Sequence, residues 1–313
     1  MPRLFFIISF IACCPSLLNS QSNWFVQPSG VSNNLQSISF KDQNTGWALG
    51  DGGIIIYTGD GGMNWNASPP VTNNNLFAAA SPENSSFIYA VGENGVIIKS
   101  TNYGVFWTLL NSGTSVRLNS IFFTDQAGYV AGDNGVFLKT TNEGNTWVQK
   151  YTGTINNLNS VVVSNTALMC GDNGTILFSS NYGESWIPHN SGTQADLNSI
   201  YGGWIVGSSG VILYRSYSGN WIQQNSYTTN NLNCVTSASR WIYAVGDNGT
   251  ILRYLPHIQN STWTRQNSGT SINLNSIHFR NILYSSEIYG WAAGDKVLFL
   301  RIRPRDGGFQ QNS

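Results

Sequence analysis

The fold the sequence predicts is all-β: a seven-bladed β-propeller of four-stranded antiparallel blades, the last blade closed by the N-terminal strand. Three observations predict it. A Leu-led apolar stretch recurs at Leu35, Leu76, Leu118, Leu158, Leu197, Leu232 and Leu274, at spacings of 41, 42, 40, 39, 35 and 42 residues. Short turns of the "DNG" kind recur at one fixed place within each unit. A stretch opening on Trp follows six of the seven Leu starts, at Trp65, Trp107, Trp147, Trp186, Trp221 and Trp263, and the missing one stands at the other end of the chain, at Trp24.

Each unit divides into four strand-like pieces. The first, "LNSIFF" at 118–123 and its equivalents, is short and mostly apolar, as an innermost strand covered on both faces must be. The second is an aromatic followed by small apolar residues and Gly, as in "GYVAGD". "DNG" at 133–135, 172–174 and 247–249, with "DGG" at 51–53, "ENG" at 93–95 and "SSG" at 208–210, predicts a two-residue hairpin into the third piece, since Asn and Gly tolerate positive φ. The fourth opens on Trp and ends in "NSG" or similar. Joining "LNSIHF", "GWAAGD" and "KVLFLRI" near the C-terminus to "WFVQPSG" at 24–30 completes the last blade and removes the free edges of an open sheet.

Between the third and fourth pieces lies Ser/Thr-x-Asp/Asn-x-Gly-x-x-Trp. Its four full copies are Thr58, Asp60, Gly62, Trp65; Ser100, Asn102, Gly104, Trp107; Thr140, Asn142, Gly144, Trp147; and Ser179, Asn181, Gly183, Trp186. The Asp or Asn side chain is expected to accept from amides two residues on, the Gly to take a backbone angle closed to side chains, and the Trp to bury a large ring. These are structural positions. The copies at "RSYSGNW" and "RYLPHIQNSTW" are degenerate.

Bulk composition narrows the partners. Charged residues make up 10% of the chain and 15 basic residues balance 15 acidic ones, so the basic surplus that nucleic acid binding requires is missing. Solubility falls to neutral polar groups, among them 38 Asn. Met1-Pro2-Arg3 followed by the apolar run Leu4 to Ala12 reads as a signal peptide over 1–20, cleaved near Ser20 or Ser22. A single propeller is expected over 22–303 and a tail over 304–313. "FIAC" ends at Cys13 as a lipobox would, but Phe10 fits poorly where Leu is preferred, which argues against a lipid anchor. No later stretch is long and apolar enough to span a bilayer. Cys170 and Cys234 sit in different units and read as buried free thiols.

Asp51, Glu93, Asp133, Asp172, Asp247 and Asp295 occupy equivalent places between the second and third pieces, with Ser208 the exception. In an up-and-down blade these turns share a face with the connections between blades, opposite the Asp/Asn boxes. They are candidates for hairpin carboxylates bonded to their own backbone, or for a negative ring at a tunnel mouth that binds a partner. No metal site or cofactor is expected, because His189, His257 and His278 lack ligand spacing.

The unit "LNSIFF…GYVAGDNGVFLKTTNEGNTW" resembles the BNR/Asp-box repeat in the form found in the photosystem II stability/assembly factor family. The likeness covers about 22–303 in seven copies. In oxygenic phototrophs it implies a lumenal or periplasmic seven-bladed propeller that assists assembly of the reaction-centre core; similar repeats occur in secreted bacterial proteins with no photosynthetic role. The expected function is therefore a non-catalytic, secreted or periplasmic binding or scaffold propeller with a protein or glycan partner at one face. A photosystem II assembly factor is one alternative. A glycan-binding or sialidase-like propeller is the other, but it lacks the clustered Arg and the entry-strand Arg-Ile-Pro that sialidases use.

Overall fold

The structure, a computed structural model, describes residues 24–82, 85–124, 127–256, 258–281, 288–295 and 298–302. The leader over 1–20, Cys13, His257 and the tail at 304–313 lie outside the described residues.

The strands pair as four-stranded antiparallel sheets packed face to face in a ring. Blade 3 shows the plan: Leu118–Phe123, Gly128–Gly132, Phe137–Thr140 and Val148–Lys150, each bonded to its neighbour in sequence. The expectation of a seven-bladed propeller, its last blade closed by the N-terminal strand, is corrected in its count of blades. Six blades, not seven, are each folded from one continuous stretch, starting at Leu35, Leu76, Leu118, Leu158, Leu197 and Leu232. The remaining four-stranded sheet is a composite of Leu274–Asn281, Ile288–Gly294, Leu298–Ile302 and, from the other end of the chain, Trp24–Pro28. The last stretch of chain supplies only three strands, so the fourth has to be brought from residues 24–28, with Trp24 opposite Ile302 and Pro28 opposite Leu298.

Local sequence explains the inner strands. In every sheet the pairing of the first two strands shifts register directly after the Leu, as between Leu118 and Ser120, giving one bulge per sheet. The bulge turns the Ser hydroxyl toward the next sheet, where it accepts an amide. Ser120 Oγ accepts from Val161 N at 3.2 Å, Ser160 Oγ from Ile200 N at 3.2 Å, Ser199 Oγ from Val235 N at 3.2 Å and Ser276 Oγ from Ile38 N at 3.3 Å. The Leu itself is fully buried in each copy.

The hydrophobic core is divided among the seams. Each cluster joins the second and third strands of one blade to the first and second strands of the next, as Tyr89, Val91 and Ile97 join Leu118, Ile121 and Val130. Aromatic pairs cross several of these seams, among them Phe40 on Trp291 at 3.6 Å, Tyr89 on Phe123 at 4.1 Å, Tyr243 on Phe279 at 4.6 Å and Trp204 on Tyr254 at 5.1 Å. Cys170 and Cys234 are free, and burial pushes both thiols up from their ordinary value.

Ring closure generates a stability prediction. Trp24 is 5% exposed and meets Phe279 edge-on at 6.0 Å, so Trp24→Ala is expected to cost about 3–5 kcal/mol in urea unfolding. A loss below about 1 kcal/mol would show that the N-terminal strand does not hold the ring shut.

Candidate functional site

The boxes on one face come first. Thr58 Oγ1 donates to Asp60 Oδ1 at 2.8 Å and accepts from Gly62 N at 2.9 Å, while Asp60 Oδ1 also accepts from Asn64 N at 2.9 Å. The other copies repeat this: Ser100 with Asn102, Gly104 and Phe106; Thr140 with Asn142, Gly144 and Thr146; Ser179 with Asn181, Gly183 and Ser185. The Asx oxygen reaches four residues on rather than the expected two, because the box hydroxyl already occupies the nearer amide. Only an acceptor is needed at that place, so Asn serves as well as Asp. At Asp60 burial works to raise the carboxyl, but the bonds from Asn64 and Thr58 outweigh it and hold it below the usual carboxylate value.

The box also fastens one blade to the next. Its fourth residue carries positive φ, at Gly61, Tyr103, Glu143 and Tyr182, which turns the carbonyl toward the preceding blade. Trp291 Nε1 donates to Gly61 O at 3.0 Å, Trp47 Nε1 to Tyr103 O at 2.7 Å and Tyr89 Oη to Glu143 O at 2.7 Å. At the next seam Lys139 Nζ takes over, donating to Tyr182 O at 2.8 Å. The box Gly is required by this approach: a Cβ on Gly104 would collide with the Trp47 indole nitrogen, and one on Gly144 would lie 2.9 Å from Tyr89 Cε1. Three box Trp rings meet an aromatic edge-on, Trp65 on Phe40 and Trp147 on Phe123 within their own blades and Trp186 on Phe137 of the preceding blade, while Trp107 donates to Gly104 O within its own box.

The opposite face carries the candidate carboxylates. Their turns keep the expected positive φ at the two central residues, 56° at Asn134 and 69° at Gly135, while the outer closing bond to Val136 O comes from Gly132 N, one residue earlier than in a simple two-residue hairpin. Val136 N closes the turn on Asp133 O, the bond of a type I′ turn whose central residues are Asn134 and Gly135. Each carboxylate is held by carboxamides flanking a buried Leu. Asp51 accepts from Asn34 and Gln36 at 2.9 Å each, Asp172 from Asn157 at 2.9 Å and Asn159 at 2.8 Å, Asp247 from Asn231 at 3.0 Å and Asn233 at 3.1 Å, and Asp295 from Asn273 at 3.1 Å and Asn275 at 3.0 Å. Asp133 has Asn119 at 2.8 Å, and Glu93 has the Asn75 side chain at 3.1 Å and its amide at 3.3 Å.

The second Asn of each pair also reaches across the seam. Asn119 Nδ2 donates to Leu158 O, Asn159 to Leu197 O, Asn198 to Leu232 O, Asn233 to Leu274 O and Asn275 to Leu35 O, at 2.9–3.1 Å. These five Asn were missed as site residues in the sequence, although the recurring Asn after Leu was the signal for them. They rim a central cleft of about 560 Å³. Asp133, Asp172 and Asp247 reach that cleft, whereas Asp51, Glu93 and Asp295 do not line it. The mouth is thus a belt of neutral amides with carboxylates behind it. The belt fails at Phe77, which stands where Asn is expected, and there the Arg117 guanidinium covers the Phe77 ring at 3.8 Å. Among the described residues no group of three or more His, Cys, Asp or Glu is placed to hold a metal ion.

Residues 17–113 and 72–201 match the family described as photosynthesis system II assembly factor YCF48. A solved structure of YCF48 bound to D1 peptide superimposes with a TM-score of 0.73 at 17% identity, over 91% of this chain and 96% of that one. YCF48 from Cyanidioschyzon merolae gives 0.68 at 18% identity, over 90% and 98%. An ancestral GH74 enzyme gives 0.66 at 15% identity, over 88% of this chain but 46% of that one. At these identities the solved structures speak for the fold alone. No curated protein sequence matches the chain.

Two outcomes follow from the geometry. Gly104→Ala, which meets both the positive φ of 82° and the Trp47 ring, is expected to cost roughly 1–3 kcal/mol more than Gly113→Ala, whose φ is 77° but which has nothing within 4 Å. Equal costs in denaturant unfolding would remove the clasp from the account. Burial and the neighbouring Arg280 guanidinium push His278 down to about 3, against a backbone bond at Phe40, so its ring is neutral in the fold. The unfolded chain binds that proton below about 6.5, so this share of stability is complete above pH 6.5 and is lost as pH falls toward 3. His278→Phe is expected to flatten the stability slope between pH 6.5 and 5, leaving the smaller share from His189, which burial and Arg215 also lower. An unchanged slope would contradict it.

Proposed function

The chain belongs to the photosynthesis system II assembly factor YCF48 family, and from that premise we propose that it is a non-catalytic propeller that binds a protein partner outside the cytoplasm. The observation that carries this reading is the family match across residues 17–201. The chemistry of the boxes supports it. Their hydroxyls and Asx oxygens are engaged in closing turns and fastening seams, so they are supports for the ring and offer no free nucleophile or acid–base pair. The Met1-Pro2-Arg3 start and the apolar run after it support export. The channel-mouth face lines its cleft with carboxamides, the carboxylates Asp133, Asp172, Asp196 and Asp247 and the single cation Arg117, a hydrogen-bonding and net negative surface that suits polypeptide better than a polyanion.

A second, finer reading makes the partner a photosystem II subunit in a phototroph. It is favoured by the relative solved with a D1 peptide. Cross-linking of the mature chain in its native envelope or thylakoid fraction, read by mass spectrometry, tests both. The expected outcome is one predominant protein partner, a photosystem II subunit in the finer case, with no turnover when the purified chain meets a panel of aryl glycosides and sialosides. Glycoside hydrolysis well above background, or no protein cross-link above that of a scrambled-sequence control, would overturn the reading.

A further inference from the structure

The clasp that fastens successive blades on the box face is missing at one described seam from both sides at once. In blade 4 the second strand, Ala167–Gly171, places Leu168 where the other blades place Trp47, Tyr89, Tyr129, Trp204, Tyr243 and Trp291. In blade 5 the box hydroxyl is replaced by Arg215, the acceptor by Tyr217, and the loop to Trp221 is one residue shorter than its counterparts. The neighbouring hairpin of blade 5 is cut to two residues, Gly202 and Gly203, between paired Tyr201 and Trp204. With neither aromatic nor carbonyl to fill the seam, a groove of about 690 Å³ opens there, within the range that ligand sites occupy.

Its walls define what it accepts. Phe122, Val162, Leu168, Tyr201 and Tyr217 give an apolar trough, with Tyr217 96% exposed at its edge. Arg215 is the one charged group lining the groove; it stacks over Phe178 at 4.9 Å, and its Nε is buried with no hydrogen-bond partner. No carboxylate lines the groove, and among the described residues the ion pairs run from Lys139 and Lys150 to Glu184 and leave Arg215 out. A buried guanidinium nitrogen without an acceptor is costly, so the groove is complementary to an anion beside apolar side chains. Carboxamides, which read the hydroxyls of a neutral sugar, are absent from it.

We propose that this groove between blades 4 and 5 binds an extended polypeptide segment, seating an apolar side chain on Phe122, Val162 and Leu168 and pairing a neighbouring Asp or Glu side chain with Arg215. The site rests on the reading of the chain as a protein-binding propeller and names the chemistry of the segment bound. Fluorescence anisotropy of the mature chain with the labelled, end-capped heptapeptide GSFELSG tests it, against the capped peptide GSFQLSG and against cellohexaose. Saturable binding of GSFELSG is expected, weakened at least about tenfold by the Glu-to-Gln change and by Arg215→Gln, with GSFQLSG indifferent to that variant. Leu168→Trp, which restores the ring found at the other seams, is expected to abolish binding while thermal unfolding shows the fold retained. No saturable binding, binding untouched by both variants, or competition by cellohexaose would overturn the site. If the cross-linked partner still binds the Arg215→Gln, Leu168→Trp double variant, the protein-binding reading stands and the groove falls.

Discussion

One contact recurs at four seams of the ring: a polar hydrogen on the second or third strand of one blade, given to a carbonyl that the next blade has turned backward. The carbonyl can point that way only because its residue lies in the left-handed region, as Tyr103 and Glu143 do. That conformation is held by the box hydroxyl and Asx oxygen on either side of it. The following Gly leaves room for the donor ring. A short motif that looks like a local turn is therefore an element of tertiary structure, and its Trp fills the space beside it.

The opposite face solves the same problem with carboxamides. Around Leu158, Leu232 and Leu274 one Asn before the Leu and one after it hold the turn carboxylate, and the second also bonds the next blade's Leu carbonyl. The acids at Asp51, Asp172, Asp247 and Asp295 are thereby drawn into the scaffold. Where Phe77 and Arg117 replace Asn, the belt gives way to a stacked aromatic and cation at the channel mouth. Departures from the repeat, rather than the repeat itself, are where ring chemistry is available to a partner.

Much of this was legible in the sequence, and the limits have a physical cause. The Leu period, the hairpin punctuation and the displaced Trp24 are signals within one strand or one turn, and the pairing of Trp24 with Ile302 is where they lead. What the residues did not announce lies between units about forty positions apart. Nothing local says that Asn159 bonds Leu197, that Trp47 reaches Tyr103, or that Asp60 holds Asn64 because Thr58 has taken the nearer amide. The Asn-Gly turns were read as two-residue hairpins and take the positive φ of one, but nothing local says that the Asp133 amide goes to Arg117 O and leaves Gly132 N to bond Val136 O. Blade 5 looked merely degenerate; only its neighbour Leu168 shows that both halves of a seam changed together.

The seam clasp is tested most directly by native-state hydrogen exchange, residue by residue. The amides of Gly62, Gly104, Gly144 and Gly183, bonded inside boxes that fasten a seam, should exchange only when the whole ring unfolds. The amide of Gly219, in the unfastened turn of blade 5, should exchange on the order of 100-fold faster through local opening. One common rate for all five, or boxes that open before the rest of their blades, would contradict the account.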